Sequence, residues 1–392
     1  MKYDYDVIVV GARVAGASTA MLLARCGHRV LLVDRATMPS DTLSTHALLR
    51  TGVLQLTRWG LIDRVASAGA PPVRDITLGF GEERIRFEVR PECGVDTFYA
   101  PRRFMLDAML VEEAEAEGVE FRGGTRMVDV VRHDDYRVTG IELDTGGRRE
   151  RVTARMVVGA DGYQSRFAAL VGAPDLQTHP ATNAVHYAYY TGVEATGFWF
   201  FFAPGVNAGL IPTNGGETLV FAARPTAQVG RFRHDPDGEF MAILHRGGED
   251  LAAVVEGGER VSGFRGTRGL TGHLRGCWGR GWALVGDAGY TKDPISAHGI
   301  SDALRDAELC ARGIDASLVD PATEVVSMRR YQGRRDALSV TMYEESRALA
   351  AYRWEPPEAS ARMRRISESV RLECEALISL PEWQALRASV GV

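Results

Sequence analysis

The sequence predicts an α/β fold in which a parallel sheet is assembled from separated stretches of chain, with an inserted antiparallel β-sheet and a helical C-terminus. Three observations predict it. Residues 4–35 read as strand, glycine turn, helix and second strand. The pattern of buried strand and turn returns within 98–172 and 278–312, so the first unit is completed only after other material has been inserted. Between those stretches, residues 183–224 are strongly β-forming and aromatic.

The opening unit is the most specific. Val7-Ile8-Val9-Val10 is a buried strand, Gly11-Ala12-Arg13-Val14-Ala15-Gly16 turns into a helix, and Val30-Leu31-Leu32-Val33 is a second strand closed by Asp34-Arg35. Together they form the Rossmann-like βαβ unit that binds an ADP moiety. Gly11 permits the tight turn and Gly16 lets the helix approach the sheet. The helix N-terminus offers free N–H groups and a positive dipole end to a pyrophosphate. Asp34 follows Gly16 by 18 residues, about where a carboxylate reaches ribose hydroxyls. Arg13 replaces the middle glycine of the pattern. A guanidinium there either contacts phosphate directly, offsetting the lost backbone approach, or is an ordinary surface arginine.

At 392 residues the chain has ample length for a core in one large or two closely joined domains. Its net charge of −5 argues against nucleic acid or an anionic membrane surface as partner. All of its 46 basic residues except Lys2 and Lys292 are arginine, a bias that points to genome composition rather than chemistry. Cys26, Cys93, Cys277, Cys310 and Cys374 are scattered, odd in number and without a CxxC pair. They fit a reduced, cytoplasmic protein better than a disulfide framework or a metal site. No signal peptide is expected, and no run approaches the ~20 apolar residues of a spanning helix.

Further along, residues 42–68 read as helical or loop-helical with an apolar face of Leu48, Leu54, Leu56, Leu61 and Val65, and residues 74–100 as paired strands. A helix opens at Arg102-Arg103 and runs to Gly118. Short strands follow over 119–157, broken at Gly123-Gly124, His133-Asp134-Asp135 and Gly146-Gly147. Met156-Val157-Val158-Gly159-Ala160-Asp161-Gly162 is a further buried strand and turn. The buried pattern returns at 282–287, with a helix from about Ile300. The C-terminus is mostly helical, punctuated by Pro321, Pro356-Pro357 and Pro381.

Two more motifs stand beside the first: Gly159-Ala160-Asp161-Gly162-Tyr163-Gln164-Ser165-Arg166, and Gly286-Asp287-Ala288 with Pro294, Gly299 and Ile300 after it. In this order, and over roughly residues 4–315, the three motifs resemble the group A flavoprotein monooxygenases, single-component FAD enzymes built like the aromatic hydroxylases. The resemblance implies a discontinuous FAD-binding domain at 1–75, 98–180 and 278–320. It further implies a β-rich substrate domain at 76–97 and 181–277 and a C-terminal helical region at 321–392. It assigns FAD contacts to Gly11, Arg13, Ala15, Gly16, Asp34, Arg35, Arg103, Val128, Asp161, Gly286, Asp287, Gly299 and Ile300. NAD(P)H is then a transient hydride donor, since there is one ADP fingerprint and no second one. Reduction by another protein fits the same pattern.

Physical chemistry supports some of these roles independently. Asp287 follows the Trp282-Ala283-Leu284-Val285 strand, at the strand end where α/β folds bind ligands, and its carboxylate suits a polyol such as ribitol. It also suits a turn or a helix N-cap. Asp161 stands equivalently after Val157-Val158. Ser296-Ala297-His298-Gly299-Ile300 opens a long helix whose N–H groups and dipole would stabilise negative charge on a reduced flavin.

Residues 186–202 are rich in aromatics, and Tyr187, Tyr189, Phe200 and Phe202 are the candidate substrate contacts, with sheet packing as the alternative for each. His46 and His298 are candidates for a general base or a flavin partner, against the alternative of buried structural histidines. No other catalytic set and no metal-ligand spacing stands out. The implied reaction is FAD-dependent monooxygenation of a small apolar or aromatic molecule. In it NAD(P)H reduces the flavin, O2 adds at the flavin C4a carbon, and one oxygen atom is transferred. Alternatives are a reductase resembling the geranylgeranyl reductases, a halogenase and a flavin-binding regulatory protein. A halogenase needs a lysine, and only Lys2 and Lys292 are available. The C-terminal helices either close the pocket or form a homo-oligomer interface.

Overall fold

In the computed structural model, which describes residues 2–133 and 136–383, the βαβ unit anchors the central sheet. Asp134 and Asp135 of the turn read from the sequence, and residues 384–392 of the C-terminal region, lie outside the described residues. β1 (Tyr5–Val10), α1 (Val14–Arg25) and β2 (Val30–Val33) follow the apolar runs closely. The sheet order is β17 (Trp278–Gly279), β18 (Trp282–Leu284), β8 (Arg148–Gly159), β1, β2, β5 (Glu120–Arg122). Its members run parallel apart from β17 on the edge. Val7, Ile8, Val9, Leu31 and Leu32 are all fully buried, as a parallel sheet covered on both faces requires.

Register sets the site. Val10 pairs with Gly159, and Gly159 with Leu284, so β1, β8 and β18 end at one level. The three turns that follow therefore emerge side by side. The last of the short strands read over 119–157 and the buried strand read from Met156 are one element, β8, twelve residues long. Its first half pairs with β7 (Val138–Thr145), which pairs with β6 (Arg126–Arg132), so one strand serves a hairpin outside and the parallel sheet inside. α4 (Arg103–Ala116) and α9 (Gly299–Val319) pack against α1.

The second sheet has the order β14 (Glu259–Arg260), β10 (Asn183–Thr191), β13 (Thr218–Pro225), β12 (Val206–Pro212), β11 (Phe198–Ala203), β3 (Asp75–Phe80), β4 (Glu83–Glu88). β15 (Arg265–Thr267) also pairs with β10. All pairs are antiparallel except β3–β11, where a strand from early in the chain joins one met much later. Strand alternation divides the aromatics between two cores. Tyr187, Tyr189, Phe198, Phe200 and Phe202 face the main core. Tyr190 and Phe201 face a second cluster with α6 (Gly230–His234), α7 (Pro236–Gly247) and α8 (Glu249–Glu256).

A small third sheet joins β9 (Asp175–His179), β16 (Gly272–Arg275) and β19 (Tyr290–Thr291). The 42–68 stretch forms α2 (Arg50–Arg58) and α3 (Ile62–Ser67), and α5 (Arg166–Val171) follows the Asp-Gly turn. α10 (Glu324–Ala350) and α11 (Pro356–Ile378) close the fold against α9, α2 and β3. Trp354, between them, packs its ring on Phe202, which stacks on Phe80. Each such ring contributes about 2–3 kcal/mol of burial energy, so this contact ties the C-terminal helices firmly to the inserted sheet. No helix among the described residues is long and apolar enough to cross a membrane.

Candidate active site

A cavity of about 750 Å³ opens where β1, β8 and β18 end, roofed by the second sheet. Gly11, at φ +105, starts its floor, and a Cβ there would fall 2.3 Å from the Ala160 carbonyl oxygen. On Gly16 a Cβ would fall 1.8 Å from the Gly11 oxygen. Side chains at either position would push the turn off the neighbouring strand, so the floor is bare backbone ending at the N-terminus of α1.

Two arginines meet beside this floor. Arg13 Nη1 donates to Asp107 Oδ2 at 2.8 Å, and Arg103 donates to both oxygens of the same buried carboxylate at 3.1 Å. Arg13 also donates to Ser40 and to the Asp41 carbonyl. One carboxylate facing two guanidinium groups leaves net positive charge at the cavity wall, suited to an anion. Asp34 closes the turn, accepting from Ala12 N at 2.7 Å and Ala36 N at 2.8 Å. Arg35, exposed, continues the wall, and Arg166, whose guanidinium holds the Val128 carbonyl, borders it.

The structure separates two aspartates that look alike in the sequence. Asp161 spends its carboxylate on α5, accepting from Phe167 N at 2.9 Å and from the Ser165 hydroxyl. Asp287 makes no side-chain hydrogen bond among the described residues and opens onto the cavity. The carbonyls of its loop are tied behind it. His273 Nε2 and Thr291 Oγ1 reach the Asp287 carbonyl at 3.0 and 2.8 Å, Arg275 the Ala288 carbonyl at 2.9 Å, and Arg335 the Gly289 carbonyl at 3.0 Å. Asp287 is deep in the molecule, yet water reaches it through the open cavity. Burial pushes its carboxyl upward against the pull of Lys292 and Arg103, and that push acts fully only when a ligand excludes the water.

Across the cavity, the N-terminus of α9 presents Gly299 and Ile300, with His298 beside it. Burial drives the His298 imidazole down to about 3, so it is neutral, and Nδ1 lies 2.5 Å from the Ser296 carbonyl. Lys292 also lines the wall, ion-paired with Asp302. Asp302 in turn meets Arg305, which holds Asp306 and, from α11, Glu373.

Of the candidate substrate contacts, Tyr187 lines the cavity and Phe200 a small pocket next to it. Tyr189, Phe202 and His46 do not line either. His46 sits at φ +65, and this left-handed backbone turns its ring away between Thr45 and Ala47, both on the wall. Its Nε2 lies 2.5 Å from the Tyr189 hydroxyl, and burial drives it down to about 3. His46 and Tyr189 therefore brace the wall from behind, with Arg102 stacked over the Tyr189 ring at 3.7 Å. Phe202 is spent on Phe80 and Trp354. Asp293 lines the cavity too, a residue the sequence reading passed over although it stands directly before Pro294 of the third motif.

A family model described as FAD binding domain matches residues 4–346. The chain belongs to the FAD-binding domain family. It is an FAD-dependent oxidoreductase. The bare glycine floor, the converging N-termini of α1 and α9 and the Asp287 carboxylate, unpartnered among the described residues, fit that cofactor. Among curated proteins the chain is 27% identical over 325 residues to a digeranylgeranylglycerophospholipid reductase of Methanosarcina mazei, covering 78% of this chain and 73% of that one. Among solved structures, PqsL of Pseudomonas aeruginosa, described as a probable FAD-dependent monooxygenase, superposes with a TM-score of 0.79 at 22% identity, covering 92% of this chain and 99% of that one. A triple mutant of the flavin-dependent brominase Bmp2 superposes with a TM-score of 0.82 at 18% identity, covering 98% of both chains. These structural likenesses carry the fold.

Proposed function

We propose that this FAD-dependent oxidoreductase is a monooxygenase that transfers one oxygen atom of O2 to a small apolar or aromatic molecule, with NAD(P)H docking transiently as hydride donor. One observation carries the reading: a single cavity of about 750 Å³ has to hold FAD and substrate together. The end beneath the second sheet is walled by Val185, Tyr187, Leu270 and Pro294 with the hydroxyls of Ser44 and Thr267. That suits a small ring better than a long prenyl chain.

Bound FAD would supply hydride acceptance and oxygen activation. The protein holds and shields it. The Gly11–Gly16 turn and the start of α1 would take the pyrophosphate, with Arg13 and Arg103 adding positive charge. Asp34, Arg35 and the Val128 region would take the adenosine end, Asp161 would keep the adjoining turn in place, and Asp287 would accept from the ribityl chain. Gly286 lets that loop approach. Gly299 and Ile300, at the positive end of α9, would stabilise charge on the reduced ring. Tyr187, Val185 and Leu270 would exclude water from the reacting atoms.

The test is product analysis with small aromatic compounds, NADH or NADPH, and isotopically labelled O2. The reading expects oxygen-dependent NAD(P)H oxidation and a product carrying one labelled oxygen atom. Equal turnover without oxygen sinks it. That result would instead support a reductase, the reading favoured by the 27% identity to the prenyl-lipid reductase.

A further inference from the structure

Asp293 stands in the loop that leads from β19 into α9, outside every role assigned above. Its Oδ1 is fully used, accepting from Asn183 Nδ2 at 2.9 Å and from Ile295 N at 3.0 Å. Its Oδ2 takes no partner among the described residues, and the carboxyl lines the cavity. Asn183 is fixed in turn, because the Tyr352 hydroxyl donates to its Oδ1 at 2.8 Å. With its oxygen engaged there, the Asn183 amide has to present its NH2 group to Asp293. A turn-capping aspartate needs only the Ile295 bond. Here β10 of the inserted sheet and the connection between α10 and α11 are both recruited to aim one carboxyl into the cavity.

We propose that Asp293 is the proton donor of this cavity. The inference rests on the reading of the cavity as the place where flavin, oxygen and substrate meet. Monooxygenation consumes one proton: RH + O2 + NAD(P)H + H⁺ → ROH + NAD(P)⁺ + H2O. Saturation of a double bond also consumes one, added with the hydride. Without substrate, anionic reduced flavin, O2 and one proton give oxidised flavin and hydrogen peroxide. A site that shuts out water loses water as the source of that proton, so a group on the wall has to bring it.

Burial raises the Asp293 carboxyl to about 7, against the opposing pull of the two hydrogen bonds to Oδ1 and of Lys292. A substantial fraction therefore carries a proton at neutral pH. Two neighbouring cavity groups are shifted from their usual ranges as well. Burial pulls the Lys292 ammonium down to about 7 beside its partner Asp302, and burial pushes the Asp287 carboxyl upward, so Asp293→Asn, which leaves both groups in place, isolates the Asp293 step. His298 is neutral in this range, and burial keeps the Tyr352 hydroxyl protonated with Arg224 near it.

Two measurements on the FAD-loaded protein test the proposal. The first is infrared titration, in which the wild type should show the carbonyl stretch of a protonated carboxyl disappearing around pH 7, and Asp293→Asn should lack that band. The second is reoxidation of the reduced protein by O2 alone. The wild-type rate should fall tenfold per unit above about pH 7, and Asp293→Asn should be slower by about 10²-fold and flat with pH, as loss of a general acid predicts. Flavin reduction should be unchanged in the variant. Asn183→Leu, which removes one donor from Oδ1, should move the alkaline fall to higher pH. No titrating band in the wild type, or an Asp293→Asn variant with wild-type rate and pH profile, overturns the proposal while leaving the site reading intact. A chain that retains no FAD overturns both.

Discussion

At the scale of single residues, two aspartates have different duties. Asp287→Ala removes a free acceptor from the cavity and should weaken FAD binding by about 10–100-fold, the worth of a hydrogen bond to a charged group. Fluorescence titration of the apoprotein with FAD measures it. Asp161→Ala removes the acceptor at the start of α5 and should cost about 1–2 kcal/mol of stability. The opposite pattern would reverse the assignments. Sequence made the pair look equivalent because both follow a buried strand, and the difference lies in Ser165, four residues after Asp161, which completes a cap. The histidines carry a pH effect. His46 and His298 are neutral in the folded state down to about pH 3 but take up a proton near 6.5 once unfolded. The unfolded state thus binds more protons between those values, and stability falls as pH drops below about 6.5, by up to ~1.4 kcal/mol per pH unit for each histidine. Thermal melts from pH 7.5 to 5 should show this, and His46→Gln should show less of it. A melting temperature independent of pH would contradict the burial of both rings.

At the scale of elements, the three turns are legible because their glycines and flanking apolar runs are local. Gly11→Ala places an L side chain at φ +105 against the Ala160 oxygen and should cost at least about 3 kcal/mol, seen as a lower melting temperature and lost FAD. What holds the third turn was not legible. Arg335 of α10 reaches the Gly289 and Arg275 carbonyls, and Glu373 of α11 reaches Arg305 behind Lys292. In a chain whose basic residues are nearly all arginine, nothing local distinguishes Arg335 from its neighbours. Arg335→Met should strand buried carbonyls at about 1–3 kcal/mol and loosen the Asp287 loop, so that FAD affinity falls with stability. Unchanged FAD affinity would show that the loop holds its shape alone. The position of His46 behind the wall was hidden for a similar reason, since only a left-handed backbone, invisible in residue type, turns it away.

At the scale of the whole molecule, periodicity carried the α/β fold, the aromatic sheet and the helical end, because burial repeats every two or about four residues. It could not carry which distant pieces meet: β3 beside β11, Asn183 and Tyr352 on Asp293, or Trp354 on Phe202. Those contacts set the second sheet over the cavity and brace that sheet and the third turn with the C-terminal helices, and oxygen is proposed to be activated in the cavity. Rapid mixing of the anaerobically reduced, FAD-loaded protein with O2, with the flavin absorption recorded, tests it most directly. A transient spectrum that belongs to neither reduced nor oxidised flavin is expected. Direct return to the oxidised spectrum, with and without small aromatic compounds, would contradict it.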